Sequence, residues 1–259
     1  KGQAGTSLDI SVLKIQESTP RIIHLNRETV QINNVIYSGI IRPGVGYISL
    51  EEFNASATKE LKAALTTLKQ AGMQKLILDL RDNPGGLLTQ AVDICNLFLA
   101  KETKIVETRG KVEEWNKTYT ALNASFDSDI PLIILINGHS ASAAEIVAGV
   151  MQDYDRAVLI GKKSYGKGLV QVTRDLPYRT KMKITTAKYY IPSGRCIQAI
   201  DYQHKNSDGQ AIAYKDSSIK SFKTQNGRTV VDGGGIQPDI LIGKDLTSSS
   251  FTQALMKQH

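Results

Sequence analysis

Leu132-Ile133-Ile134-Leu135-Ile136-Asn137-Gly138-His139-Ser140-Ala141-Ser142-Ala143-Ala144-Glu145-Ile146-Val147-Ala148-Gly149-Val150-Met151 reads as a strand, a loop of small residues and a helix, in that order. The aliphatic run 132–136 leaves no polar face for water, so this strand is buried on both sides, as strands of parallel sheets are. Residues 142–151 then take up helical spacing. The same alternation extends outward. Residues 157–161 form the next strand; upstream, 76–80 is a buried strand, 87–99 a helix, 56–70 a helix and 46–53 a strand. Strand and helix in turn predict β-α-β units with right-handed crossovers, hence an α/β fold whose sheet is mainly parallel.

The flanks differ. Residues 7–14 alternate polar and apolar, and 21–24 and 29–32 are short extended stretches, a small β-rich piece. The turn signal Arg42-Pro43-Gly44 closes it, dividing the chain into 1–42 and 43–259. Further on, 168–176 and 183–191 alternate around Pro177-Tyr178 and suggest a hairpin, whereas 201–231 are polar without periodicity and read as an insertion or mobile surface loop.

With 259 residues, 41% of them hydrophobic, the chain buries a real core in one large domain, alone or with a smaller attachment. Lysine and arginine outnumber the acids 32 to 25, but they are scattered and aromatic residues make up only 6%, so nothing favours a nucleic-acid partner. Cys95 and Cys196 are too few for a disulfide framework, and Cys95 sits in an apolar helical run where a buried thiol is the default. No apolar run has membrane-spanning length, and the chain begins at Lys1 without a signal-like segment, as a mature fragment would. Neither H-E-x-x-H nor paired C-x-x-C spacing calls for a metal.

Three segments lie at the carboxyl ends of predicted strands, where α/β sheets bind ligands. Asp79-Leu80-Arg81-Asp82-Asn83-Pro84-Gly85-Gly86 leaves a strand, bends at Pro84 and lets two glycines bring bare N–H groups near a ligand, although an ordinary turn explains it too. Ser142 opens a helix whose first-turn amides and dipole favour developing negative charge; Ser142-Ala143-Ala144-Glu145 is equally a capping box. Lys167, in Ser164-Tyr165-Gly166-Lys167-Gly168-Leu169-Val170-Gln171, becomes a base only if tertiary burial removes its charge, and is otherwise a solvated turn lysine. Gln171 would lie ~13 Å from Lys167 along an extended strand, so contact requires the Gly-Lys-Gly stretch to bend. Of the histidines, His24 falls in the β piece, His204 in the polar insertion and His259 at the terminus. His139 is the one near Ser142, and from its place in the loop it points elsewhere.

As an ordered set these segments resemble the carboxyl-terminal processing proteases, also called tail-specific proteases, a family of Ser-Lys peptidases with a PDZ domain. The likeness runs through residues 78–86, 138–153 and 161–171, then Pro192-Ser193-Gly194-Arg195 and Gly233-Gly234-Gly235-Ile236-Gln237-Pro238-Asp239, covering most of 43–243. It implies Ser142 as nucleophile, Lys167 as general base, Gln171 as the residue that positions the lysine, and the amides of Gly86 and Ala143 as oxyanion hole. Ser140 is then a structural neighbour, and Ala144 stands where many relatives carry a third serine. The resemblance also implies a crotonase-like or ClpP-like core, with residues 1–42 as the C-terminal part of a truncated PDZ-like domain. Its substrates would be polypeptides with accessible C-terminal tails, cut without a cofactor, in a bacterial periplasm or at a membrane-anchored extracytoplasmic site of the cell envelope. Two other functions fit parts of the pattern: a crotonase-like acyl-thioester enzyme, which uses amide oxyanion holes similarly, and a catalytically silent peptide-binding or scaffold protein.

Overall fold

A computed structural model describes residues 2–15, 17–29, 32–206, 208, 210–214 and 219–243, the side chains of Gln203 and Lys205 excepted. The chain divides into two compact units, residues 1–33 and 34–259.

In the first unit, β1 (Ser7–Val12) and β2 (Arg21–Asn26) form an antiparallel hairpin in which Ser7 pairs with Asn26 and Val12 with Arg21. Leu8, Ile10, Ile22, Ile23 and Leu25 are exposed. A two-stranded hairpin with its apolar side chains in water is at best marginally stable alone. The expected extended stretch 29–32 lies partly outside the described residues.

The second unit begins with β3 (Val35–Arg42), which pairs antiparallel with β4 (Val45–Leu50). The compact unit therefore starts at Asn34 and not after the Arg42-Pro43-Gly44 turn, which is the β3–β4 hairpin itself. Then come α1 (Ala57–Gln70), β5 (Lys75–Asp79), α2 (Leu88–Phe98), β6 (Lys104–Gly110), β7 (Lys117–Thr120), β8 (Leu132–Ile136), α3 (Ala143–Asp153) and β9 (Val158–Gly161). Helix α1 buries Ala57, Leu61, Leu65 and Leu68, one stripe at helical spacing, and each buried leucine contributes about 2 kcal/mol. Helix α3 is buried along its whole length, and its small residues let neighbours close in: a Cβ on Gly149 would stand 2.7 Å from Ile191 Cδ1.

Strands β10 (Leu169–Leu176) and β11 (Thr180–Tyr190) form the expected hairpin, which extends through β6 to β7 as a four-stranded antiparallel sheet. The polar stretch 201–231 is not a structureless loop among the described residues. It holds two small hairpins, β12 (Ile200–Lys205) with β13 (Ala211–Ala213), and β14 (Ser221–Lys223) with β15 (Thr229–Val231). Three of these four strands are three residues long, too short to show a period, and the second hairpin is held by ion pairs and a backbone bond: Arg228 bonds Asp155 and Asp239, and Gln225 N–H donates to Asp153 O at 2.7 Å. The buried pair Arg195–Asp153 stands behind it at 2.8 Å.

With β16 (Ile240–Leu241) the main sheet runs β16-β9-β8-β5-β4-β3, parallel except for the β3–β4 edge, as the alternation of strand and helix predicted. Asp79 of β5 lies beside Leu135 of β8, and Ile136 of β8 beside Gly161 of β9. The three strands therefore end together, and the loops leaving them converge. Among the described residues no helix is long and apolar enough to cross a membrane.

Candidate active site

The loop after β5 is built around Asn83, which is fully buried: its Nδ2 donates to Leu50 O at 2.8 Å, and its Oδ1 accepts from Gly85 N–H at 2.8 Å. At the loop's start, Asp79 takes a bidentate bond from Arg81 and a hydroxyl bond from Tyr47. Its end joins Phe53, which donates to Gly85 O and accepts from Leu87 N–H. The Gly86 N–H between them has no hydrogen-bond partner among the described residues.

Among the bonds that tie the loop after β8 to this one, Ala141 N–H donates to Asn83 O at 2.9 Å, and the buried Ser140 hydroxyl donates to Leu80 O at 2.7 Å. Ser140 is thus the structural neighbour the resemblance implied. Ser142 takes φ 56° and ψ −112°, outside the regions that L-residues favour, on the sharp strand-to-helix turn. In α/β-hydrolases a nucleophilic serine sits on a sharp, strained strand-to-helix turn. Ala143 N–H, like that of Gly86, has no partner among the described residues.

Glycine 85 makes the close approach possible. At φ 95°, a Cβ there would stand 2.6 Å from Ala141 O, 2.8 Å from Ala143 N and 2.9 Å from Ser142 Cβ. Gly85→Ala is expected to cost ~2 kcal/mol or more by displacing the Ser142 turn. Gly72→Ala is the control, since Gly72 has a similar φ of 86° but nothing within 4 Å of its would-be Cβ. Urea unfolding of both variants decides whether the loss comes from the torsion or from the crowding at Ser142.

The third loop follows β9, and Glu145 holds it. This carboxylate is 0% exposed and accepts bonds from Ser142 N–H (2.8 Å), the Ser164 hydroxyl (2.6 Å), Gly166 N–H (2.7 Å) and Lys167 N–H (2.8 Å). The capping-box pattern correctly anticipated the first of these. The other bonds come from a segment roughly twenty residues downstream and were not legible in the pattern. Burial pushes the Glu145 carboxyl upward from its ordinary value, while its hydrogen-bond donors pull the other way. A carboxylate in the first turn of α3 is also favoured by the helix dipole.

Glu145 thus brings the main chains of Ser142 and Lys167 to one anchor. It does not bury the lysine side chain, which is exposed and makes no hydrogen bond to Ser142 or Gln171 among the described residues. The tertiary burial on which a role for Lys167 as a base was conditional is absent, and its side chain lines a cleft open to solvent. Gln171 is exposed too, and lines that cleft with Lys167; the volume is about 380 Å³. The register of β10 against β11 shifts between Val170 and Gln171.

His139 is turned toward Asp82, its Nδ1 2.9 Å from Oδ1. Asn137 bonds the same oxygen, and these two contacts, the Asn137 amide first, hold the Asp82 carboxyl below its usual range. Among the described residues no group of His, Cys, Asp and Glu has the arrangement of a metal site. Cys95 is fully buried, and burial drives its thiol far above the usual range.

The profile of peptidase family S41 matches residues 44–205. The chain is 37% identical over 204 residues to the carboxy-terminal-processing protease of Bartonella bacilliformis, covering 77% of this chain and 46% of that one. It is 38% identical over 196 residues to the carboxyl-terminal-processing protease of a Picosynechococcus species, covering 74% and 46%. The chain thus spans about half the length of these curated relatives. Among solved structures, the photosystem II D1 C-terminal processing protease superposes with a TM-score of 0.62 at 25% identity, covering 97% of this chain and 59% of that one.

Proposed function

The chain belongs to peptidase family S41, and from that footing we propose that it is a serine endopeptidase in which Ser142 is the nucleophile and Lys167 the general base. The observation that carries this is the shared anchor: one buried carboxylate fixes the backbone of both residues, with the unspent amides of Gly86 and Ala143 beside the serine.

In the proposed cycle the uncharged amine of Lys167 takes the proton of Ser142 Oγ as the oxygen attacks a peptide carbonyl. The Gly86 and Ala143 amides receive the developing oxyanion. The tetrahedral species then collapses, the leaving amine takes the proton from Lys167, and water deacylates Ser142 with the lysine again as base. Lys167 must first swing from solvent toward Ser142, where Gln171, on the wall of the same cleft, would hold it. A polypeptide lying in the cleft excludes water, which favours the uncharged amine.

The names of the relatives support polypeptide tails as substrates, with cleavage near or from the C-terminus. The crotonase-like description of the core, the hairpin β1–β2 as the end of a PDZ-like domain, and an extracytoplasmic location in a bacterial envelope rest on the resemblance of the motifs. No cofactor enters the cycle.

The test is acid quenching during turnover of a peptide ester, followed by peptide mapping. The expected result is one acyl adduct, on the peptide containing Ser142. Turnover with no adduct, or with the acyl group on another residue, would overturn the proposal.

A further inference from the structure

The cleft of Lys167 and Gln171 opens into a larger one, of about 810 Å³, and Leu169, Gln171, Gln198, Ile200 and Tyr202 line both. Its walls are largely apolar, with Trp115, Ile184 and Ile200 among them. The lining also carries charge. Arg109 is committed to Glu107 through two bonds, and Asp201 to His204. Lys111 and Lys188 have no carboxylate partner among the described residues. Lys111 is exposed, whereas Lys188 is half-buried, its Nζ donating to the Tyr214 hydroxyl at 3.1 Å and lying 5.8 Å from the Tyr214 ring centre. A half-buried ammonium in an apolar wall, satisfied only by a phenol, has donors to spare and no counter-charge.

Its position relates it to the chemistry. Lys188 pairs across the strands with Leu169, two residues beyond Lys167. Two residues along a strand and one strand across is about 8 Å. A polypeptide running in extended form from the Lys167 end of the cleft covers that distance in about three residues.

We propose that Lys188 forms a subsite for a carboxylate of the bound polypeptide, two to five residues from the bond cut, while the adjoining apolar wall takes a neighbouring apolar side chain. The inference rests on the peptidase reading for its substrate, and it names what that substrate carries. The carboxylate belongs either to an Asp or Glu side chain or to the C-terminus of the chain being cut; the chemistry of recognition is the same.

The experiment separates these sources, and separates the subsite from the chemistry, by measuring binding to Ser142→Ala before cleavage. One series of fluorescent peptides, all C-terminally amidated, places Glu, Gln or Lys at each of the four positions; a second ends at each of those positions as free acid or amide. One series should show an acidic preference of about fivefold to tenfold, the size of a partly desolvated charge-assisted bond. Lys188→Gln should reduce that ratio to about one, and Lys188→Glu should turn it toward the Lys peptide. Equal binding of acidic and neutral peptides in both series, or a preference that survives Lys188→Gln, overturns the subsite. If the preference is present but the wild-type protein cleaves none of the peptides, the peptidase reading fails and the subsite stands.

Discussion

Lys167→Arg is expected to lose roughly two to four orders of magnitude in kcat/KM on an unstructured polypeptide, the range for a positioned general base. Stability should hardly change. The Lys167 side chain is exposed and bonds nothing among the described residues; only its main-chain N–H is held, by Glu145. An exposed substitution of this kind moves stability by about 0.5 kcal/mol or less. Arginine keeps the charge and most of the reach, but a guanidinium stays protonated at every working pH and cannot take the Ser142 proton. The pair of measurements, turnover and denaturant midpoint, therefore isolates proton transfer from folding. An Arg variant with a tenth of normal activity would mean that another group is the base.

The second large effect is on Glu145, with the opposite signature. Glu145→Ala orphans the N–H groups of Ser142, Gly166 and Lys167 and the hydroxyl of Ser164 around a carboxyl that is itself 0% exposed. At about 1–3 kcal/mol for each buried donor left unpaired, roughly 4 kcal/mol or more is lost, a large part of a domain's stability. Glu145→Gln keeps the shape. Its best orientation leaves the oxygen on Ser142 and Lys167 N–H, turns the amide toward Ser164, whose hydroxyl can rotate, and orphans mainly Gly166 N–H. The Gln variant is thus expected to fold with a loss of about 1–3 kcal/mol and to retain part of its activity, while the Ala variant loses both. Equal stability of Glu145→Ala and the parent in chemical denaturation would show that the carboxylate is no hub.

How far the sequence carried these conclusions depended on the range of the interaction. Strands β5 and β8 were legible because full burial writes an unbroken aliphatic run, and α1 because its leucines keep helical spacing. Strand β3 was not: it is an edge strand with mostly exposed residues, Gly39 within it and two register shifts against β4. At the site, Ser142, Lys167 and the Gly-Gly turn were legible as types in order. The exposure of Lys167 was not, because rotamer and solvent access are set by the cleft and not by flanking residues. Glu145 showed half its role, the cap, since that half is local. The buried Asn83, which spaces the glycine loop from the serine loop, left one signal, a polar residue just before Pro84-Gly85-Gly86.

Ser142 holds a backbone torsion that any residue with a Cβ resists, by about 1–2 kcal/mol, and that glycine adopts freely. Within the fold alone, then, serine is a poor choice at 142, and a glycine would, on the proposed chemistry, leave the protein inert and better settled. In a duplicated copy of the gene released from the need to cut, neutral drift would run downhill at this position, and loss of activity there would come with a rise in melting temperature. Such a copy would keep its shape long after its chemistry had gone.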